Sequence, residues 1–109
     1  MKETGDKYRD FINLMLQEID NVANCGVIDV DFNGIEFRFK IFNKCNLEHY
    51  YFVIDADVIE KIHTRSQLIS VVCACSGHIR AFVFNKKQNE YGETIPKIDK
   101  KVINEALNS

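Results

Sequence analysis

The sequence predicts an α+β domain: an antiparallel sheet of about five strands packed against an N-terminal and a C-terminal helix. Three observations lead there. A helical stripe opens the chain, an alternating stretch broken by Asn33-Gly34 follows it, and a second alternating stretch is broken by Ser76-Gly77. Strands joined by tight turns favour antiparallel pairing, with the helices gathered on one face of the sheet. The expected order is helix, three strands, short helix, two strands, helix, in a single domain over 1–109.

The opening helix rests on Tyr8, Phe11, Ile12, Met15, Ile19 and Val22, which recur at steps of three and four, with Lys7, Asp10, Asn13, Gln17 and Asp20 mostly opposite. Asp6 is the expected N-cap, and Asn24-Cys25-Gly26 the expected end, with Gly26 as a left-handed C-cap. Val27 to Phe32, Asn33-Gly34 and Ile35 to Phe42 then form a hairpin, because Asn-Gly suits a type I′ turn. A two-residue turn would oppose Phe32 to Ile35, Val30 to Phe37 and Ile28 to Phe39 on an apolar face. It would oppose Asp31 to Glu36, Asp29 to Arg38 and Val27 to Lys40 on a polar one.

Asn43 to Asn46 reads as a loop, and the nearly continuous apolar run from His49 to Asp55 as a strand covered on both faces. Asp57 and Glu60 resemble a capping box opening a short helix to about His63. Leu68 to Cys75 and His78 to Phe84 are assigned to a second hairpin across Ser76-Gly77. Asn85 to Glu93 is polar and reads as a mobile loop. Pro96 is placed at the start of a final helix carrying Ile98, Val102, Ala106 and Leu107 on one face.

Composition narrows the function. The chain has 109 residues, 46% hydrophobic and 28% charged, with a net charge of -2, the profile of a globular domain. Near-neutral charge, dispersed lysines and no glycine-rich phosphate loop argue against nucleic acid as the partner. No uninterrupted apolar run reaches the roughly 18–20 residues of a membrane span, and the N-terminus has no secretory pattern. The expectation is a soluble cytoplasmic protein whose four cysteines are reduced.

Four constellations could carry chemistry or binding. On a hairpin, Cys73 and Cys75 would share a face, with His78 across from Cys75, a possible zinc site completed by Cys25, Cys45 or His49. Same-face strand neighbours lie about 7 Å apart, and no Cys-x-x-Cys turn is present, so packing is the plainer reading. Cys75 with His78 and Arg80 could instead be an activated thiol oriented by Asp55 or Asp57. Asp29, Asp31 and Glu36 could hold a divalent ion in a nuclease-like site, although Arg38 stands where that chemistry wants Lys. Finally, Phe42 and Tyr51 fall on the polar face near Val27 and Val53, ringed by Asp29, Arg38 and Lys40 with Asp31 and Glu36 beside them; an apolar centre with a charged rim is how partner surfaces are built, the alternative being that the last helix covers that face.

The reading that follows is a non-enzymatic module binding another protein through that face, an inhibitor or adaptor of the toxin-immunity or phage anti-defence kind by fold-level analogy. No cofactor is expected unless the cysteines hold zinc. A homodimer through an unpaired sheet edge is a further possibility for an open sheet. The rival is a Cys/His metal or thiol enzyme centred on 73–80.

Overall fold

The computed structural model describes residues 4–21, 25–45, 48–85 and 93–108, and the architecture is α+β. Helix α1 spans Thr4–Asp20, α2 Ala56–Glu60, α3 Arg65–Asn85 and α4 Lys100–Leu107. Strands β1 (Cys25–Phe32), β2 (Glu36–Asn43) and β3 (His49–Asp55) form an antiparallel meander. The two-residue β4 (Glu93–Thr94) lies parallel to β3 on its far side. A parallel neighbour needs a crossover, and α2 with α3 provides it.

The expected five-strand antiparallel sheet is therefore corrected to three antiparallel strands and one short parallel one. The second hairpin does not exist; its two halves are one 21-residue helix, α3. Leu68, Val71, Val72, Cys75 and Ile79 are buried, at the three- and four-residue steps of a helix face. The β-branched Val71 and Val72 and the Ser76-Gly77 pair imitate strand and turn, but the 3.6 period was available in the same residues. A capping box starts the helix: Gln67 N–H donates to Thr64 Oγ1 (3.1 Å), while Thr64 N–H donates back to Gln67 Oε1 (3.0 Å). The other end of the Gln67 amide donates to the Leu107 carbonyl at 2.7 Å, fastening α4 onto α3.

By length and composition alone α3 could cross a bilayer, with mean hydropathy 1.5 over Arg65–Phe84, a property hidden when the segment is read as two strands. Its buried stripe joins the core shared with α1 and the sheet.

Other boundaries shift in smaller ways. α1 begins at Thr4, so Asp6 is a first-turn residue and not the cap, and Gly26 is a strand residue opposite Phe42 and not a C-cap. Val22, Asn24, Asn46 and residues 86–92 lie outside the described residues. α2 starts at Ala56 after Asp55, which places Asp57 inside its first turn. α4 starts at Lys100, four residues later than Pro96, after Asp99, whose carboxylate accepts from Lys101 N–H at 2.9 Å. Ile103 and Ala106 are its buried residues, while Val102 is exposed.

The first hairpin forms with a different register. Phe32 opposes Phe37, Asp31 opposes Arg38, Val30 opposes Phe39 and Asp29 opposes Lys40. The connection is Asn33 to Glu36, closed by Asn33 N–H to the Glu36 carbonyl (3.3 Å). Asn33 Oδ1 accepts from the N–H groups of Ile35 and Glu36, both at 2.9 Å, and Gly34 takes φ +93°. The shift is two residues, so each side chain keeps its face. A bulge at Ile28 then resets the alternation: Val27 pairs with Ile41 and points toward the core, while Ile28 is left exposed.

The core lies between the helices and one sheet face. Phe11, Met15 and Ile19 of α1 and Val71, Cys75 and Ile79 of α3 meet Phe37, Phe39 and Ile41 of β2 and Tyr50, Phe52 and Ile54 of β3. Rings set the spacing, with Phe11 to Phe39 at 6.4 Å and Tyr50 to Phe82 at 5.4 Å. α1 is tied to α2 by Lys7 Nζ donating to the Glu60 carbonyl (3.1 Å) and by Tyr8 donating its hydroxyl to the Glu60 carboxylate.

Candidate functional site

Because the helices occupy one side of the sheet, alternation leaves the other side to a defined set of residues. β1 contributes Asp29 and Asp31, β2 contributes Glu36, Arg38, Lys40 and Phe42, and β3 contributes His49, Tyr51, Val53 and Asp55. Asp29, Asp31, Glu36, Arg38, Lys40, Phe42 and Tyr51, the residues expected at a partner surface, all lie on this face and none is buried.

The register organises them into cross-strand rows. Asp31, Arg38 and Val53 form one row, and Asp29, Lys40 and Tyr51 the next, which ends on Thr94 of β4. Asp29 faces Lys40, and Asp31 lies 4.0 Å from Arg38 Nη2, so unlike charges oppose each other across β1 and β2. Arg38 reaches diagonally to Tyr51, its guanidinium carbon 4.8 Å from the ring centroid, a cation–π contact. The His49 ring stands edge-on to Tyr51 at 5.9 Å, next to Phe42 in the register. Val53, in the middle, is only 6% exposed.

At the end of the face two carboxylates are opposed after all, but they are Glu36 and Asp55. Lys97, from the segment before α4, resolves the conflict with bonds of 2.8 Å to Asp55 and 3.3 Å to Glu36. The hydrogen bond to Asp55 raises the Lys97 pKa above its ordinary value; burial opposes the shift and Glu36 adds to it. An ammonium therefore does for Glu36 and Asp55 what a divalent ion could have done for Asp31 and Glu36. Asp31, Asn33, Glu36 and Arg38 share a recess of about 190 Å³ at the hairpin end, with the Arg38 cation among them.

The Cys73, Cys75 and His78 grouping loses the hairpin on which it depended. Two positions apart on a helix is a rotation of about 200°, which sends Cys73 to solvent and Cys75 into the core. Burial pushes the Cys75 thiol up to about 12, far from a reactive thiolate at neutral pH. His78 Nε2 donates to the Pro96 carbonyl at 2.6 Å and so pins the segment that carries Lys97. The three residues as placed do not fit one metal ion, and no group of three or more His, Cys, Asp or Glu side chains converges among the described residues. None of the four cysteines is in a disulfide; Cys45 and Cys73 are exposed, Cys25 and Cys75 buried.

Sequence reasoning left His49, Asp55 and Lys97 out of the face. Asp55 follows Tyr51 and Val53 in the same alternation and was legible there. Lys97 carries no sequence signal, since it arrives from 42 residues beyond Asp55. Neither a scan against protein-family models nor searches of curated proteins and of solved structures return a match to this chain.

Proposed function

We propose that the protein is a non-enzymatic binding module that engages another protein through the open sheet face, as an inhibitor or adaptor. One observation carries the reading. The face holds two half-buried aromatic side chains, Phe42 and Tyr51, beside the buried Val53, with Arg38 laid over the Tyr51 ring, inside a rim of both charge signs. Aromatic side chains and arginine are the residue types most enriched at the energetic centres of interfaces, and mixed rim charge sets register and association rate. Ordinary solvated sheet faces alternate charged and small polar residues and do not need this centre.

The partner is a protein with a complementary mixed-charge surface; a soluble, cytoplasmic setting and a toxin-immunity or anti-defence role belong to this reading by fold-level analogy. The test is native mass spectrometry of the untagged protein from its own host, purified without chelator. A stoichiometric host protein should accompany it, and Arg38→Glu or Tyr51→Ala should lose that protein while keeping the unfolding midpoint. A partner retained unchanged by both variants removes this face from the reading. A mass higher by one chelator-sensitive zinc ion would replace it with a metal centre.

A further inference from the structure

A cleft of about 390 Å³ opens beside the sheet, between the end of β3 with α2 and the 97–104 segment that enters α4. Its existence follows from the packing. α4 is fastened to α3 by Gln67 and Ile103, while Lys97 is held at the sheet by Asp55 and Glu36. The chain between these two anchors stands off α2 and leaves the space.

The lining divides by polarity. Val53, Val58, Ile98 and Ile103 give an apolar floor, and Lys61, Lys97 and Lys100 stand around it. Two carboxylates are present. Asp55 is engaged by Lys97, and Asp57 sits in the first turn of α2, where the positive helix end favours it. Lys61 and Lys100 are exposed, make no ion pair among the described residues, and outnumber the remaining carboxylate by one. A volume in the range of small-molecule sites, an apolar floor and a single excess cation at the rim together specify a ligand class.

We propose that this cleft binds a small amphiphilic monocarboxylate, its apolar chain on Val53, Val58, Ile98 and Ile103 and its carboxylate held by Lys61 and Lys100. The site adjoins the open sheet face, with which it shares Val53, Asp55 and Lys97, and goes beyond the protein-binding reading. One charge on the ligand answers the excess of one lysine over Asp57, and a chain of medium length fits within the volume.

The experiment is a titration of the full chain, isotope-labelled for amide and methyl NMR, with octanoate below its micelle concentration. Octyltrimethylammonium, with the same chain and the opposite charge, is titrated in parallel. Saturable shifts confined to the methyl groups of Val53, Val58, Ile98 and Ile103 are expected with octanoate and not with the ammonium. The double variant Lys61→Glu/Lys100→Glu should weaken octanoate at least about fivefold, since two exposed charges are reversed. No saturable shift at millimolar octanoate, shifts scattered over the surface, or equal binding of the ammonium amphiphile would each overturn the proposal. Should the double variant fold poorly, the two ligands on the natural sequence still decide. Survival of partner binding in Arg38→Glu bears only on the sheet face, so failure of one proposal leaves the other standing.

Discussion

Replacing Gly77 by alanine separates the two readings of residues 68–84 by the sign of its effect. In a hairpin Gly77 occupies a tight turn, where alanine commonly costs stability. In the structure it lies in the interior of α3, its φ is not positive, it is solvent-exposed, and a Cβ added there meets nothing within 4 Å. Only the helix-propensity difference remains, about 0.8–1 kcal/mol in favour of alanine. Fraying and denatured-state effects reduce that, so Gly77→Ala should stabilise by about 0.5–1 kcal/mol, or about 2–8 °C in midpoint for a domain this size. Urea unfolding followed by circular dichroism at 222 nm measures it, with an unchanged m-value expected. Gly34→Ala is the internal control. Its added Cβ is equally unobstructed, but φ is +93°, so it should destabilise by about 1 kcal/mol or more. A Gly77→Ala protein less stable than the natural one by about 0.5 kcal/mol would refute the helical account.

The remaining predictions concern charge and thiols. Lys97→Met should cost about 0.5–1.5 kcal/mol, a figure already discounted for the half-exposed lysine, because it also leaves Glu36 and Asp55 facing each other. The folded Lys97 pKa is raised, so the difference between natural protein and variant should be complete below its ordinary 10.5 and shrink as pH rises through the higher folded value. Urea titrations at a series of pH values check this, and a difference growing with pH would contradict it. In native thiol labelling Cys45 and Cys73 should react rapidly, and Cys25 and Cys75 only as fast as the chain opens. A fast Cys75 would contradict the burial of α3 against the sheet, and a fast Cys25 the burial of the start of β1.

Sequence legibility followed the number of independent constraints on each segment. His49–Asp55 was assigned with the bounds it has, because a run of seven residues ending in Asp55-Ala56-Asp57 admits little else. The open face was legible because Glu36, Arg38 and Lys40 alternate with Phe37 and Phe39, and a two-residue shift in register leaves that alternation intact. The shift itself was not legible, since Asn33-Gly34 serves both a two-residue turn and the longer Asn33–Glu36 connection. In 68–84 two periods coexist. Val71, Val72 and Phe82 favour a strand locally, while Leu68, Val71, Val72, Cys75 and Ile79 fit a helix face, and Thr64-Arg65-Ser66-Gln67 was the deciding signal. The metal grouping failed with that assignment, whereas the sheet face did not depend on it.

The bulge at Ile28 bears on how the protein behaves when crowded with copies of itself. Before it, odd-numbered Cys25 and Val27 turn toward the core; after it, even-numbered Val30 and Phe32 share the core side. Removing Ile28 would merge these into one uninterrupted alternation and a straighter strand. β1 lies at the margin of the sheet, where a long, regular strand offers its unpaired backbone to any similar strand. The extra residue breaks that template in the middle. Asp29 and Asp31 add repulsion, because an antiparallel copy would set aspartate against aspartate. A single inserted residue thus interrupts the regular strand that carries the exposed Ile28 and the partly exposed Phe32 at the margin of the sheet.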